Sequence, residues 1–355
     1  MHYPRNNTLS GLLERAVAQR SQNLPFVLFS KPGDTEVRGI FQKGNALYRS
    51  TNFTEEGFVM APFHKDRPAI YIPNDEKLIA QYDFKAISSS VTQQKIDEAK
   101  DFKKKAYLDL VHKGLAKIKE GEFQKVVLSR ILEIPFKKDI LDTFLVLLNN
   151  YPHAFCYLWF HPRKGTWIGA TPEVLVKVRG KAFTTFSLAG TQELNGDAPP
   201  IWNKKERHEQ ELVTDYIINV LSPKMVSLNK SKLESIRAGS LWHLRTKISG
   251  TMLDGGLEPL LKVLHPTPAV CGLPFLTARD FILREENYDR EFYTGFLGEI
   301  RSKESADLYV NLRCAQIKRD LAYIYVGGGI TRGSHPEKEW LETVAKSKTL
   351  MKFFR

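Results

Sequence analysis

Cysteine is scarce in this 355-residue chain: Cys156, Cys271 and Cys314 are odd in number, far apart and without a Cys-x-x-Cys. That excludes a disulfide framework and a structural zinc, and it points to a reducing compartment. No uninterrupted apolar run approaches the roughly 20 residues that a membrane span needs. The opening MHYPRNNTLSGLLERAVAQR lacks the apolar core of a secretory signal and reads as a short amphipathic helix. A soluble, cytoplasmic protein is expected. Also missing are a Walker phosphate loop and a Rossmann glycine fingerprint after a strand, which leaves nucleotide binding without support. His208-Glu209 begins a zinc-protease motif, but Leu212 stands where the second histidine should be. Acidic residues are outnumbered, 40 Asp+Glu against 52 Lys+Arg, for a net charge of +12. Such a charge suits nucleic acid, an anionic membrane surface or an acidic small substrate. The basic residues are spread, and the densest run, Lys100 to Lys105, falls in an amphipathic helix whose solvated face accounts for it. With no RNA-recognition signature, zinc-finger spacing or arginine-rich tail, neither nucleic acid nor membrane is expected as a partner.

What is present concentrates in the last tenth, Ile324 to Lys346, IYVGGGITRGSHPEKEWLETVAK. A β-branched and aromatic strand runs into Gly327, Gly328 and Gly329, read as a turn where backbone takes torsions closed to other residues and approaches a ligand. Ser334 reads as a helix N-cap with Pro336 in the first turn and Glu337 as its capping-box partner. Glu339, Glu342 and Lys346 then fall on one side of the helix. Alone, Glu342 and Lys346 make an ordinary exposed pair worth about 0.2–0.5 kcal/mol. In company they make an anion and metal site.

Upstream, short strands are expected at 26–29, 39–42, 48–50, 57–62 and 69–72, separated by Gly, Pro, Asn and Asp. A helix follows with Tyr107, Leu108, Val111, Leu115 and Ile118 as its apolar stripe. Nothing resembles a linker, so one domain over residues 1–355 is expected, with a catalytic core from 121. FQKVVLSRILEI, residues 123–134, reads as a buried strand with Lys125 on the face of Val127, Ser129 and Ile131. A lysine there either snorkels to solvent from the strand end or serves as a general base. Glu173, in the GATPE turn of residues 169–173, is either a solvated turn carboxylate or a general acid. A strand over 182–191 ends at Ala189, Gly190 and Thr191, where backbone could meet ligand. After a loop over 195–200, the helix over 203–221 extends its apolar stripe of Val213, Tyr216 and Val220 through Glu209 and Glu206. Carboxylates on such a line are unusual unless paired or binding a cation. Glu206/Glu209 and Glu339/Glu342 together form an oxygen-rich set suited to magnesium with an anionic substrate. Further strands are expected at 241–251, 293–300 and 308–317, and helices at 257–264 and 275–286. The loop 265–274, with three prolines, is a stiff pocket wall in which His265 reads as a structural cap. Arg313, on the face of Tyr309 and Asn311, offers a fork for a carboxylate.

KVVLSR, GATPE, LAGT, KKERHEQELV, HPTPAVCG, LRCA and VGGGIT with PEKEWLET, in this order from Phe123 onward, resemble the chorismate-utilising enzymes, most closely isochorismate synthase. The resemblance implies an α+β fold of two stacked antiparallel β-sheets flanked by helices, and a reversible, magnesium-dependent conversion of chorismate to isochorismate. It implies that Lys125 activates water for attack at C2 and that Glu173 protonates the departing C4 hydroxyl. Glu209 and Glu342 match the Mg2+ ligands, supported by Glu206 and Glu339. Gly190, Thr191, Tyr293, Arg313, Gly328, Gly329 and Lys346 match positions that hold substrate. Amine-forming relatives usually carry glutamine at the place of Lys125, and the aminodeoxychorismate type a lysine at that of Ala189, so this pair favours water as nucleophile. Salicylate synthases share that arrangement and then eliminate pyruvate; they tend to have threonine near Ala269, where alanine leans toward stopping at isochorismate. A monomer is expected.

Overall fold

The computed structural model describes residues 5–83, 101–193, 200–238 and 241–354. After β1 (Arg5–Asn7) and α1 (Leu9–Ser21) come β2 (Phe26–Ser30) and β3 (Glu36–Phe41), then β4 (Tyr48–Ser50), β5 (Gly57–Ala61), β6 (Ala69–Pro73) and β7 (Glu76–Gln81). Helix α2 (Asp101–Lys119) leads to β8 (Lys125–Pro135), α3 (Ile140–Asn150), β9 (Phe155–His161) and β10 (Gly165–Thr171). Next are β11 (Val174–Arg179), β12 (Ala182–Glu193), α4 (Lys204–Leu221), β13 (Met225–Lys230), β14 (Glu234–Ala238) and β15 (Leu241–Met252). Then α5 (Glu258–Leu264), the two-residue β16 (Gly272–Leu273) and α6 (Phe275–Glu285) precede β17 (Phe296–Ser302), β18 (Ser305–Val310), β19 (Cys314–Lys318), β20 (Leu321–Thr331) and α7 (Pro336–Phe354).

The strands make two sheets, in the orders β1-β7-β3-β2-β9-β10-β19-β20-β8-β16 and β13-β15-β12-β11-β18-β17-β5-β6-β4, with β14 beside β15. The stacked, antiparallel architecture expected from the sequence is the one observed; among the described pairs only β1 and β7 run parallel. Aromatic residues fill the space between the sheets. Phe29, Trp159, Trp167 and Tyr325 come from one, and Phe58 and Tyr309 from the other. Phe155 stacks on Tyr309 across the seam at 4.2 Å between ring centroids. Burying such rings is the largest single source of apolar stabilisation available to a sheet sandwich. Helices α1, α3 and α7 cover the outer face of the first sheet through Leu12, Phe144 and Phe354, and α4 and α5 cover the second through Val213, Ile217 and Leu261.

The chain passes between the sheets six times: after β3, β6, β10, β15, β16 and β18. One crossing corrects the sequence reading. Residues 308–317 were expected to form one strand; instead β18 and β19 lie in different sheets, and the break between them holds Arg313 at φ 48°. The change of sheet requires a sharp turn, which the left-handed backbone supplies. A second correction concerns the glycines. They form no turn: Gly327, Gly328 and Gly329 sit within β20, opposite Ser129, Leu128 and Val127 of β8. The third concerns the start of α7. Pro336 is its first residue, as expected, but the Ser334 hydroxyl accepts from the Thr331 amide at 3.1 Å, and Glu337 pairs with Lys104 Nζ of α2 at 2.9 Å. Glu337 is therefore a link between helices and no capping residue. Of the loop expected over 195–200, positions 195–199 lie outside the described residues, as does position 100 of the basic run.

Candidate active site

The β8–β20 pair is the floor on which the site is built. Lys125 opens β8 with its side chain fully buried, so it does not snorkel. Its Nζ lies 3.0 Å from Glu209 Oε1 of α4, without the alignment of a hydrogen bond. Glu209 can reach that far only because Gly329 has no side chain: a Cβ there would overlap Glu209 Oε1 and come within 3.1 Å of Lys125 Cε. Gly329 is thus required for space; the torsions of all three glycines are ordinary. At Gly327 an added Cβ would lie 2.7 Å from Leu128 O and 3.0 Å from the Tyr293 hydroxyl.

Glu173 occupies the crossing from β10 to β11, where Thr171 Oγ1 accepts from its amide at 3.3 Å and its own carbonyl accepts from the Val310 amide at 2.9 Å. It is no solvated turn carboxylate. Burial pushes its carboxyl up to about 7, against the pull of Lys125, Lys346 and Arg313. A carboxyl so placed can hold a proton near neutrality. Gly190, at φ +75°, sits in a bulge where β12 slips against β15, and its carbonyl meets His243 Nδ1 at 3.1 Å. Thr191 Oγ1 lies 3.3 Å from the same nitrogen. On α7, Lys346 Nζ bonds Gly327 O at 2.9 Å and Glu342 Oε1 at 2.6 Å, so this pair belongs to the site and is not a surface ornament.

These elements enclose a cleft of about 750 Å3, part of it open to solvent. Its walls include Glu173, Gly190, Thr191, Glu209, Tyr293, Arg313, Gly328, Gly329, Glu342 and Lys346. Ala189 and the 265–274 loop, through Ala269 and Val270, contribute further wall, as the prolines suggested. Three of the sequence candidates are not in the walls: Lys125, Glu206 and Glu339 stand one layer behind. Arg313 bonds Thr349 Oγ1 at 3.2 Å and keeps its fork beside the cleft. His265 behaves as read: its amide closes α5 on Leu261 O at 2.9 Å and Nε2 meets Pro62 O at 3.0 Å.

His243 escaped the sequence reading. It is buried in the cleft wall, and burial, with Arg313 and Lys346 nearby, pushes it down to about 3, so the ring is neutral. The signal available was a histidine between the apolar Leu241, Trp242 and Leu244 at the start of a strand. Tyr107 also escaped, counted among the apolar stripe of α2; its hydroxyl is buried without a hydrogen-bond partner.

The sequence matches the profile described as chorismate binding enzyme over residues 64–355. The chain belongs to the chorismate-binding enzyme family. Among curated relatives of this family, the isochorismate synthase DhbC of Bacillus subtilis is 34% identical, over 69% of this chain and 67% of that protein. The isochorismate synthase EntC of Escherichia coli is 28% identical, over 82% of this chain and 79% of its own. Among solved structures, a putative 2,3-dihydroxybenzoate-specific isochorismate synthase of Bacillus anthracis superposes with a TM-score of 0.78 at 25% identity, over 93% and 96% of the two chains.

The family implies a divalent cation, and the carboxylates of this chorismate-binding enzyme can be tested for it. Glu206 Oε2 and Glu339 Oε2 are buried oxygens without hydrogen-bond partners. Burial and the neighbouring Glu342 raise the Glu339 carboxyl; against burial, Lys346 and Lys205 hold the Glu342 carboxyl below the usual range. Lysines face three of the four acids: Lys125 at Glu209, Lys346 at Glu342, and Lys205 at Glu339 at 2.7 Å. Among the described residues no three His, Cys, Asp or Glu side chains converge as a closed metal cage. An all-carboxylate set with two unpartnered buried oxygens has the donor chemistry of a hard cation such as magnesium.

Proposed function

We propose that this protein is an isochorismate synthase, interconverting chorismate and isochorismate with Mg2+ in the cytoplasm. The observation that carries the reading is Glu173: a buried carboxyl held near 7, in one cleft wall with Arg313 and Lys346. Departure of the C4 hydroxyl needs a proton, and Glu173 is a wall carboxyl that retains one near neutral pH. Lys125, beneath Gly329, is the group assigned to take a proton from the water that attacks C2. Arg313 and Lys346 offer two cations for the two carboxylates of the substrate. Gly190, Thr191, Tyr293, Gly328 and Gly329 shape the rest of its berth. Glu209 and Glu342 would hold Mg2+, with Glu206 and Glu339 as supporting carboxylates. The ion would supply charge stabilisation for the substrate carboxylate and for the departing oxygen. The cytoplasmic placement is supported by three free, buried cysteines.

The test is incubation of purified protein with chorismate, with Mg2+ and with EDTA, reading products by mass-resolved chromatography and assaying pyruvate separately. Isochorismate rising to an equilibrium with chorismate only when metal is present is expected. Salicylate with matching pyruvate would replace this reading by a salicylate synthase, and no conversion by folded, magnesium-loaded protein would overturn it.

A further inference from the structure

A point above β20 is surrounded by oxygen. The position a Cβ would take on Gly328 lies 3.4 Å from Glu339 Oε2, 3.5 Å from Glu342 Oε1 and 3.8 Å from the Tyr107 hydroxyl. Two helices, α2 and α7, thus aim three oxygens at one spot on a strand that offers no side chain there. Tyr107 is 2% exposed and its hydroxyl has no hydrogen-bond partner; Glu339 Oε2 has none either. The ring of Tyr107 packs against Trp340 of α7 at 6.0 Å between centroids, which fixes where the hydroxyl points.

Orphaned buried hydroxyls are costly, about 1–3 kcal/mol, and phenylalanine would fill the same space without that cost. A partner is therefore required, and the three oxygens share one neighbourhood beside Gly328, where a small molecule would lie outward of the Cβ position. Water suits the inventory of donors. It would donate one proton to each of Glu339 and Glu342 and accept one from Tyr107, leaving a single lone pair unused. Carboxylates alone could not complete that count, because they only accept when ionised.

We infer that Tyr107 is a positioning residue of the cation site: its hydroxyl donates to a water over Gly328 that bridges Glu339 and Glu342, and that water's remaining lone pair is left for the divalent cation. The inference rests on the magnesium reading above. It gives α2, otherwise a packing helix, a part in holding metal, and it gives the glycine at 328 a purpose distinct from that at 329. Gly329 makes room for a carboxylate, Gly328 for a solvent molecule.

The experiment is a titration with Mn2+, a cation that carboxylate and water sites accept in place of Mg2+, read by loss of the free-ion EPR signal in the presence of chorismate. Tyr107→Phe is expected to weaken Mn2+ binding about tenfold, the usual lower figure for losing an outer-shell partner. The melting temperature of the metal-free variant should be unchanged or higher, because the orphaned hydroxyl is gone. Gly328→Ala approaches the same point from the strand with a methyl at ordinary contact distance, and should weaken Mn2+ binding similarly without unfolding the protein. Tyr82→Phe removes another buried hydroxyl, bonded to Leu145 O at 3.2 Å in a different part of the core, and should leave Mn2+ affinity unchanged. Should Tyr107→Phe bind Mn2+ within twofold of wild type while Glu342→Gln loses binding, the tyrosine has no such role and the cation site stands. Should wild type show no site that Glu209→Gln and Glu342→Gln weaken, the cation reading falls and the inference with it.

Discussion

Lys125 Nζ and Glu209 Oε1 meet 3.0 Å apart at the base of the cleft, one from a strand of the first sheet and the other from a helix that covers the second. The pair joins the two halves of the fold at the point where chemistry is assigned. Lys125→Ala should lower the rate of isochorismate formation by about 10²–10⁴, the range for loss of a general base. It should also lower stability measured by urea unfolding in EDTA by about 3–5 kcal/mol, since a largely buried carboxylate is left unpaired. Wild-type turnover in this variant would remove Lys125 from the mechanism.

For Glu173 the sign of the pH dependence can be worked out. Its carboxyl is raised to about 7 in the folded protein from an ordinary value of 4.5. Between those values the native state binds the extra proton, so stability falls as pH rises from about 4.5 to 7 and is flat beyond. Glu173→Gln should erase this contribution. Relative to wild type it should gain stability at pH 8 over pH 5, on the order of 3 kcal/mol. Its activity should be nearly lost at every pH, whereas wild-type activity should decline above about pH 7 as the acid ionises.

Two neighbouring glycines should fail in different ways. Gly329→Ala pushes against the flexible end of Glu209, so the fold should persist while activity drops by at least tenfold and the Mg2+ requirement rises. Gly327→Ala pushes against the backbone carbonyl of Leu128 at 2.7 Å. There the strand pairing itself must shift, and loss of thermal stability is expected first. Circular dichroism melts beside steady-state rates separate the two.

Behind the cleft, Arg290 and Glu286 form a buried pair at 2.7 Å. Arg290 also donates to Val127 O at 2.6 Å and to Val270 O at 3.0 Å, and Glu286 Oε1 accepts from the Ser129 amide and hydroxyl, each at 2.8 Å. Since Val127 and Val270 both face the cleft, Arg290→Met should cost about 3–5 kcal/mol and raise KM for chorismate. An unchanged urea midpoint would show that the network is dispensable.

Much of this was legible in the sequence because the signals were local. The sheets announced themselves by alternation and by runs of β-branched residues, and Lys125 and Glu173 stood out as charges where apolar strand or tight turn was expected. Other features depend on which segments meet. Nothing local tells that β18 and β19 part company at Arg313, because both halves have the pattern of one strand. Gly327 to Gly329 look like a turn until β8 is laid beside them. Edge strand β13, exposed along most of its length, carries no alternation to read. Helix α3 was readable after the fact: Asp139 caps it, accepting from the Leu141 and Asp142 amides at 2.7 and 3.1 Å. Tyr107 was hidden for the opposite reason, since its helical period explained it too easily.

Of the six passages between the sheets, four carry cleft residues: Glu173 after β10, Ala269 and Val270 after β15, Tyr293 after β16 and Arg313 after β18. The segments most exposed to chemistry are therefore also the stitches of the sandwich. New termini, inserted domains or affinity tags placed in any of them would sever scaffold and berth in one cut. The turn at Gly180 and Lys181, exposed and with open space around Gly180, joins β11 to β12 within the second sheet, away from every stitch. That is where the chain can be opened, and a permuted or split version of this enzyme should be built from there.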